Sequence, residues 1–186
     1  MKNNILLIIF ALVIAPALFA QEAVVKEVKF HNFSWGTSYA EFTAKMGNPA
    51  VVDEVNGLKS LVYGDLRILG YEVFMVVYFS QNGLEGGTYY FNNFSGEERA
   101  KCYKDMQIDL QAKYGKARVL DMILREAMPH ESSWALDSGY VQLTVDTRRN
   151  DPVTLWFSSP WLTNKLFPGR YDDVINTSTG KFTRTF

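Results

Sequence analysis

Chemistry needs nucleophiles, acids, bases or metal ligands held at short range, so the histidines, the single cysteine and the recurring aspartates of this 186-residue chain come first. The two histidines are His31 and His130, the second inside Pro129-His130-Glu131. Neither has another histidine or a cysteine at ligand spacing, so the sequence predicts no metal and no cofactor. It contains no nucleophile elbow and no phosphate-cradling loop, and Gly83, Gly86 and Gly87 fit a hairpin better than a cofactor site. Asp53 and Asp121 recur at matching places, each after a helix signal. A carboxylate pair can do acid–base work, yet residues at equivalent places in two copies of a unit usually do equivalent structural work, such as closing a turn. No residue is therefore assigned to catalysis, to a cofactor or to a metal. A small extracytoplasmic hydrolase built on Asp53, Asp121 or His130 is the alternative to a non-enzymatic reading. Asn32-Phe33-Ser34, Asn93-Phe94-Ser95 and Asn176-Thr177-Ser178 match the glycosylation pattern, which matters only in a eukaryotic secretory host.

The elements that would position any site show a repeat. Ser95 and Glu98 predict a capping box, Tyr103, Met106, Leu110 and Tyr114 follow on one helical stripe, and Gly115 stops the helix. Upstream, Ser38 and Glu41 predict a second box, Tyr39, Phe42 and Met46 a second stripe, and Gly47 a second stop. Met46 to Asp53 aligns without a gap on Tyr114 to Asp121, with Gly, Val and Asp identical. The chain therefore reads as two copies of a helix followed by antiparallel strands.

Strands are expected at 22–34, 51–54, 60–63, 71–79, 87–91, 116–121, 131–136, 140–147 and 153–158, with Asn56-Gly57, Asn82-Gly83 and Asp137-Ser138-Gly139 as turns. Trp35, just before the first cap, is expected to staple the helix entry. If Asn82 and Gly83 form the loop, Val77 lies opposite Thr88 and Met75 opposite Tyr90. One face then carries Met75, Val77, Phe79 and Tyr90, and the other Phe74, Val76, Tyr78, Tyr89 and Phe91. Both are apolar, so that hairpin should be covered on both sides. Tyr140 to Thr147 alternates strictly, with Val141, Leu143 and Val145 inward and Tyr140, Gln142 and Thr144 outward, and Trp156 shares the outer side. Met75, Val77, Tyr90, Tyr140, Gln142 and Trp156 are thus the expected partner-binding residues, a methionine and aromatic patch of the kind used for docking.

Lys2, the apolar run Ile5 to Ile14 and the small residues up to Ala20 read as a cleaved bacterial-type signal peptide, with the mature chain beginning near Gln21 and exported to a periplasm or beyond. No second hydrophobic run predicts a membrane span. With 19 Lys and Arg against 20 Asp and Glu, the chain has no basic excess for nucleic acid or an anionic membrane. Its 47% apolar and 15% aromatic content suffices for a good core. Cys102 cannot form an internal disulfide and is expected to be buried. Beyond Pro160, the large apolar residues between Trp161 and Ile175 are expected to pack on the sheet, folding over that outer patch, which is a docking surface only where the tail leaves it exposed.

Laid out this way, the sequence resembles the tandem architecture of the beta-lactamase inhibitory protein family and, one unit at a time, the SmpA/OmlA (BamE) type of outer-membrane assembly lipoprotein. The residues that carry the resemblance are Trp35-Gly36-Thr37-Ser38-Tyr39-Ala40-Glu41, Met46-Gly47-Asn48-Pro49, Ser95 to Glu98 and Tyr114-Gly115-Lys116. It implies action by protein contact through a sheet surface, without cofactors. This chain lacks the lipoproteins' attachment cysteine and the inhibitor's disulfides.

The expected fold is α+β: two tandem units, 21–94 and 95–159, forming one sheet with helices on one face, behind a signal peptide at 1–20 and ahead of a tail at 160–186 that packs on the sheet. The expected function is an exported, non-enzymatic protein-binding or envelope-assembly module.

Overall fold

Two serines start the two longer helices. The computed structural model describes residues 27–55, 57–92, 95–119, 130–145 and 151–168. The signal segment, Asp121 and the tail beyond 168 lie outside them. Helix α1 (Tyr39–Met46) leads into β1 (Val51–Val55), β2 (Leu58–Ile68), β3 (Tyr71–Ser80) and β4 (Gly83–Phe91). Helix α2 (Gly96–Tyr114) leads into β5 (Arg118–Val119), β6 (His130–Leu136), β7 (Gly139–Val145) and β8 (Val153–Ser158), and a short α3 (Pro160–Leu166) follows.

Ser95 and Glu98 form the full reciprocal capping box. At α1 only half of it forms: Ser38 accepts from the Glu41 N–H, while the Glu41 carboxylate turns outward to Lys45 at 3.0 Å. Gly47 and Gly115 end their helices at φ of 81° and 91°, a region that disfavours a side chain. In each half an aromatic on the second strand donates to the carbonyl of that stop glycine, Tyr63 to Gly47 at 3.2 Å and Trp134 to Gly115 at 2.9 Å.

The fold is α+β. All eight strands form one antiparallel sheet in the order β1-β2-β3-β4-β8-β7-β6-β5, so the last strands of the two halves meet at its centre. One face is closed by α1, α2 and the tight turn from Phe30 to Phe33, around Phe42, Met75, Val77, Phe91, Met106, Val141 and Leu143. The buried stripe of α2 is Arg99, Cys102, Met106, Leu110 and Tyr114. We call this the inner face.

Helix α3 is on the other face: a Cβ on Gly86 would meet Leu162 of α3, while one on the next residue, Gly87, would meet Phe30. The Trp35 indole donates to the Ser138 carbonyl at 2.6 Å, across the sheet end.

The β3–β4 register differs from the expected one. The loop is Gln81-Asn82, Ser80 pairs with Gly83, and Glu85 is an extra residue between the Phe79–Leu84 and Tyr78–Gly86 pairs. The cause is tertiary. Gly36 donates to the Leu84 carbonyl and Leu84 to that of Thr37, which pins Gly83-Leu84 against the segment ahead of α1. A Cβ on Gly83 would lie 2.4 Å from the Gly36 carbonyl oxygen. The corrected pairs are Val76 with Thr88 and Phe74 with Tyr90.

Candidate functional site: the outer face of the sheet

Because side chains alternate along a strand, the corrected register sorts the expected site residues onto two sides. Met75 and Val77 face inward and are fully buried at 0% exposure, joined by Tyr89 and Phe91. They are not part of a surface. Tyr90 stays outside, because its partner is Phe74 and not Met75. Gln142 lies opposite Trp156, and Trp156 opposite Thr88. Tyr140 shares that side but is 1% exposed, packed with Ala135 and Trp156. The structure therefore brings Tyr90, Gln142 and Trp156 onto one half-exposed face with Phe74, Val76 and Tyr78, residues the shifted register had placed elsewhere. Among the described residues this side of the β3–β4 hairpin is only half-covered, against the expectation of full cover.

The aromatics are ordered in pairs. Phe74 and Tyr90 stack with centroids 4.6 Å apart and planes 9° from parallel. Tyr78 packs on Trp156 at 5.5 Å. Burial pushes the Tyr78 phenol up to about 12, and the neighbouring Tyr90 phenol adds to it, so the Tyr78 hydroxyl stays protonated at neutral pH. The indole N–H of Trp156, on the residue directly opposite Thr88, is buried without a hydrogen-bond partner among the described residues. Most buried polar atoms in folded proteins are paired, so it marks an incompletely satisfied centre.

At one end the face is bounded by α3, held by a residue that sequence reading missed. The bulge buries the Glu85 carboxylate, 5% exposed, where it accepts from Ser80 Oγ at 2.8 Å and from Ser159 Oγ. Ser159 is the N-cap of α3, and its backbone N–H donates to the Glu85 carbonyl at 2.7 Å. No sequence signal distinguishes Glu85 from a solvated turn glutamate.

At the opposite end, a β2 irregularity between Tyr63 and Leu66 opens a cavity of about 440 Å³ beside Phe74, lined also by Asp65, Arg67, Glu72 and Asn92.

Of the hydrolase candidates, Asp121 lies outside the described residues, and the backbones of Asp53 and His130 are far apart. His31 packs against Tyr89, its Nδ1 at 2.9 Å from the phenol oxygen, and desolvation holds its pKa below the usual value. Asp53 is exposed on edge strand β1, accepting from the Glu54 N–H at 2.7 Å. His130 opens β6 opposite Val145. Five strands lie between β1 and β6. At about 4.8 Å per strand that puts the backbones of Asp53 and His130 roughly 30 Å apart. Among the described residues no three His, Cys, Asp or Glu cluster as a metal site, and no helix is long and apolar enough to cross a membrane.

No protein-family model and no curated protein matches the chain. Among solved structures, the chain is similar to an extracellular protein containing an SCP domain from Bacillus anthracis str. Ames, at 13% identity and a TM-score of 0.38. The match covers 75% of this chain and 51% of that one, so this chain spans about half its length. A likeness that distant carries no argument about function.

Proposed function

We propose that the chain is an exported, non-enzymatic module that binds another protein through the outer face of its sheet. The observation that carries this reading is the contrast between the two sides. The inner face is closed by two helices and the N-terminal turn, whereas the outer face presents Phe74, Val76, Tyr78, Tyr90 and Trp156 half-exposed on adjacent strands. Rigid stacked aromatics bury large apolar area on docking at little cost in side-chain entropy, which is why they dominate the energetics of protein interfaces. Export is supported by the N-terminal sequence. The order of a helix and four strands in each half, with a stop-glycine carbonyl capped by an aromatic both times, supports a duplicated unit whose two copies build a wider face than either could alone.

The test is crosslinking capture from the host's envelope fraction, with the native chain beside a folded Tyr90→Ala, Trp156→Ala variant. A specific protein captured by the first and lost by the second is the expected result. Identical capture by both, or no capture, counts against this face.

A further inference from the structure

The end cavity says what kind of partner the outer face takes. It lies between the irregular end of β2, the start of β3 and Asn92, just past the end of β4. Arg67 and Glu72, directly opposite each other, continue the outward side from Phe74, so the cavity opens onto the aromatic face and not the core. One wall is the Phe74 ring, fixed by its stack on Tyr90. Leu66 and Val73 add apolar wall beside it, and the polar groups are two carboxylates, Asp65 and Glu72, one guanidinium, Arg67, and the amide of Asn92.

The charges do not balance. Arg67 pairs with Glu72 at 2.9 Å. Asp65, exposed in the turn of the irregularity, has no ion-pair partner among the described residues. An aromatic ring beside an uncompensated carboxylate favours a cation with a flat or apolar stem, since the ring attracts positive charge and the carboxylate accepts its N–H groups. The volume lies within the range of pockets that hold small organic groups.

We propose that this cavity is the socket for a basic side chain, arginine above lysine, carried by the protein segment that docks on the outer face. The inference rests on the reading of that face as a docking surface and adds the chemistry of the partner: a basic residue placed beside apolar ones. Arginine is preferred because its planar guanidinium can stack flat on the ring of Phe74 while its in-plane N–H groups donate to Asp65, a fit that the point charge of lysine matches less well.

The probe is blocked arginine, N-acetyl-arginine-N-methylamide, titrated into the isotope-labelled chain recovered from cells expressing all 186 residues and followed by amide NMR, with blocked glutamate as control. Shifts centred on Gly64, Asp65, Phe74 and Asn92, weakened about fivefold in Asp65→Asn and absent with blocked glutamate, are the expected result. Phe74→Leu keeps an apolar wall and should also weaken binding. Arginine shifts elsewhere, equal binding by Asp65→Asn, or equal shifts from glutamate would overturn the socket. The two failures are separable. Capture lost in the Tyr90→Ala, Trp156→Ala variant beside a silent arginine titration leaves the docking face standing and ends the socket. Arginine binding beside capture that the variant does not change supports the socket and counts against the wider face.

Discussion

The ring of Phe30 occupies the place where a side chain on Gly87 would be. A Cβ built on Gly87 would fall 2.2 Å from Phe30 Cζ, and the ring is itself held between Tyr89, at 4.9 Å, and Phe157, at 5.7 Å. It cannot slide aside without disturbing both neighbours. Gly87→Ala is therefore expected to destabilise the chain by about 1–3 kcal/mol, the usual range for overpacking a core. Urea denaturation measures it, and a midpoint equal to that of the native chain would show that the Phe30 turn gives way freely.

Acid should weaken the fold through His31. Its pKa is lowered by burial, so the unfolded chain takes up a proton near the ordinary histidine value of about 6.5 while the folded chain resists until a lower pH. The stability that His31 contributes as a neutral ring is fully present above that value and is lost as pH falls through the mid-sixes toward the folded pKa. His31→Gln cannot titrate in this window. Urea midpoints at pH 7.5 and 5.5 should fall less with acid in His31→Gln than in the native chain, whatever the variant's own offset. Parallel pH slopes would assign the acid sensitivity to other groups.

Glu85 should govern α3 locally. Removing its carboxylate leaves the Ser80 and Ser159 hydroxyls without their acceptor and loosens the N-cap of α3. Glu85→Ala is expected to cost about 1.5–3 kcal/mol, the range for hydrogen bonds to a charged group. It should also speed hydrogen exchange at the amides of Thr163 and Phe167, which close the helix. Unchanged exchange there, whatever the global stability, would mean that Leu162 alone docks α3.

Cys102 should be chemically silent in the folded chain. It is buried in α2, and desolvation pushes its thiol up to about 12. At pH 8 almost no thiolate is present and a reagent cannot reach it. A thiol-reactive dye should label it only at the rate of unfolding, stoichiometrically in denaturant. Fast labelling of the folded chain would show that α2 opens from the sheet.

The sequence by itself determined the parts whose causes are local. Ser95, Glu98 and Gly115 bound α2 because a cap and a stop act over one turn of helix. The alternation from Val141 to Val145, and Val153, Leu155 and Phe157 opposite Trp156, named the inner and outer sides of β7 and β8 correctly, because period two along one strand survives any choice of partner. The β3–β4 hairpin was different. Both of its sides are apolar, so composition could not say which faced the helices, and a loop displaced by one residue plus a bulge exchanged Tyr89 and Tyr90 between faces. That exchange was decided by the Gly36-Thr37 segment pairing with Leu84, by Phe30 filling the space over Gly87, and by Glu85 reaching Ser159, contacts between residues as many as 74 positions apart. The cavity beside Asp65 has the same origin, since a strand irregularity has no period to read and its walls come from two strands and from Asn92, just past the end of a third. Local periodicity named most of the elements, and only packing between distant segments decided which of their faces meets solvent.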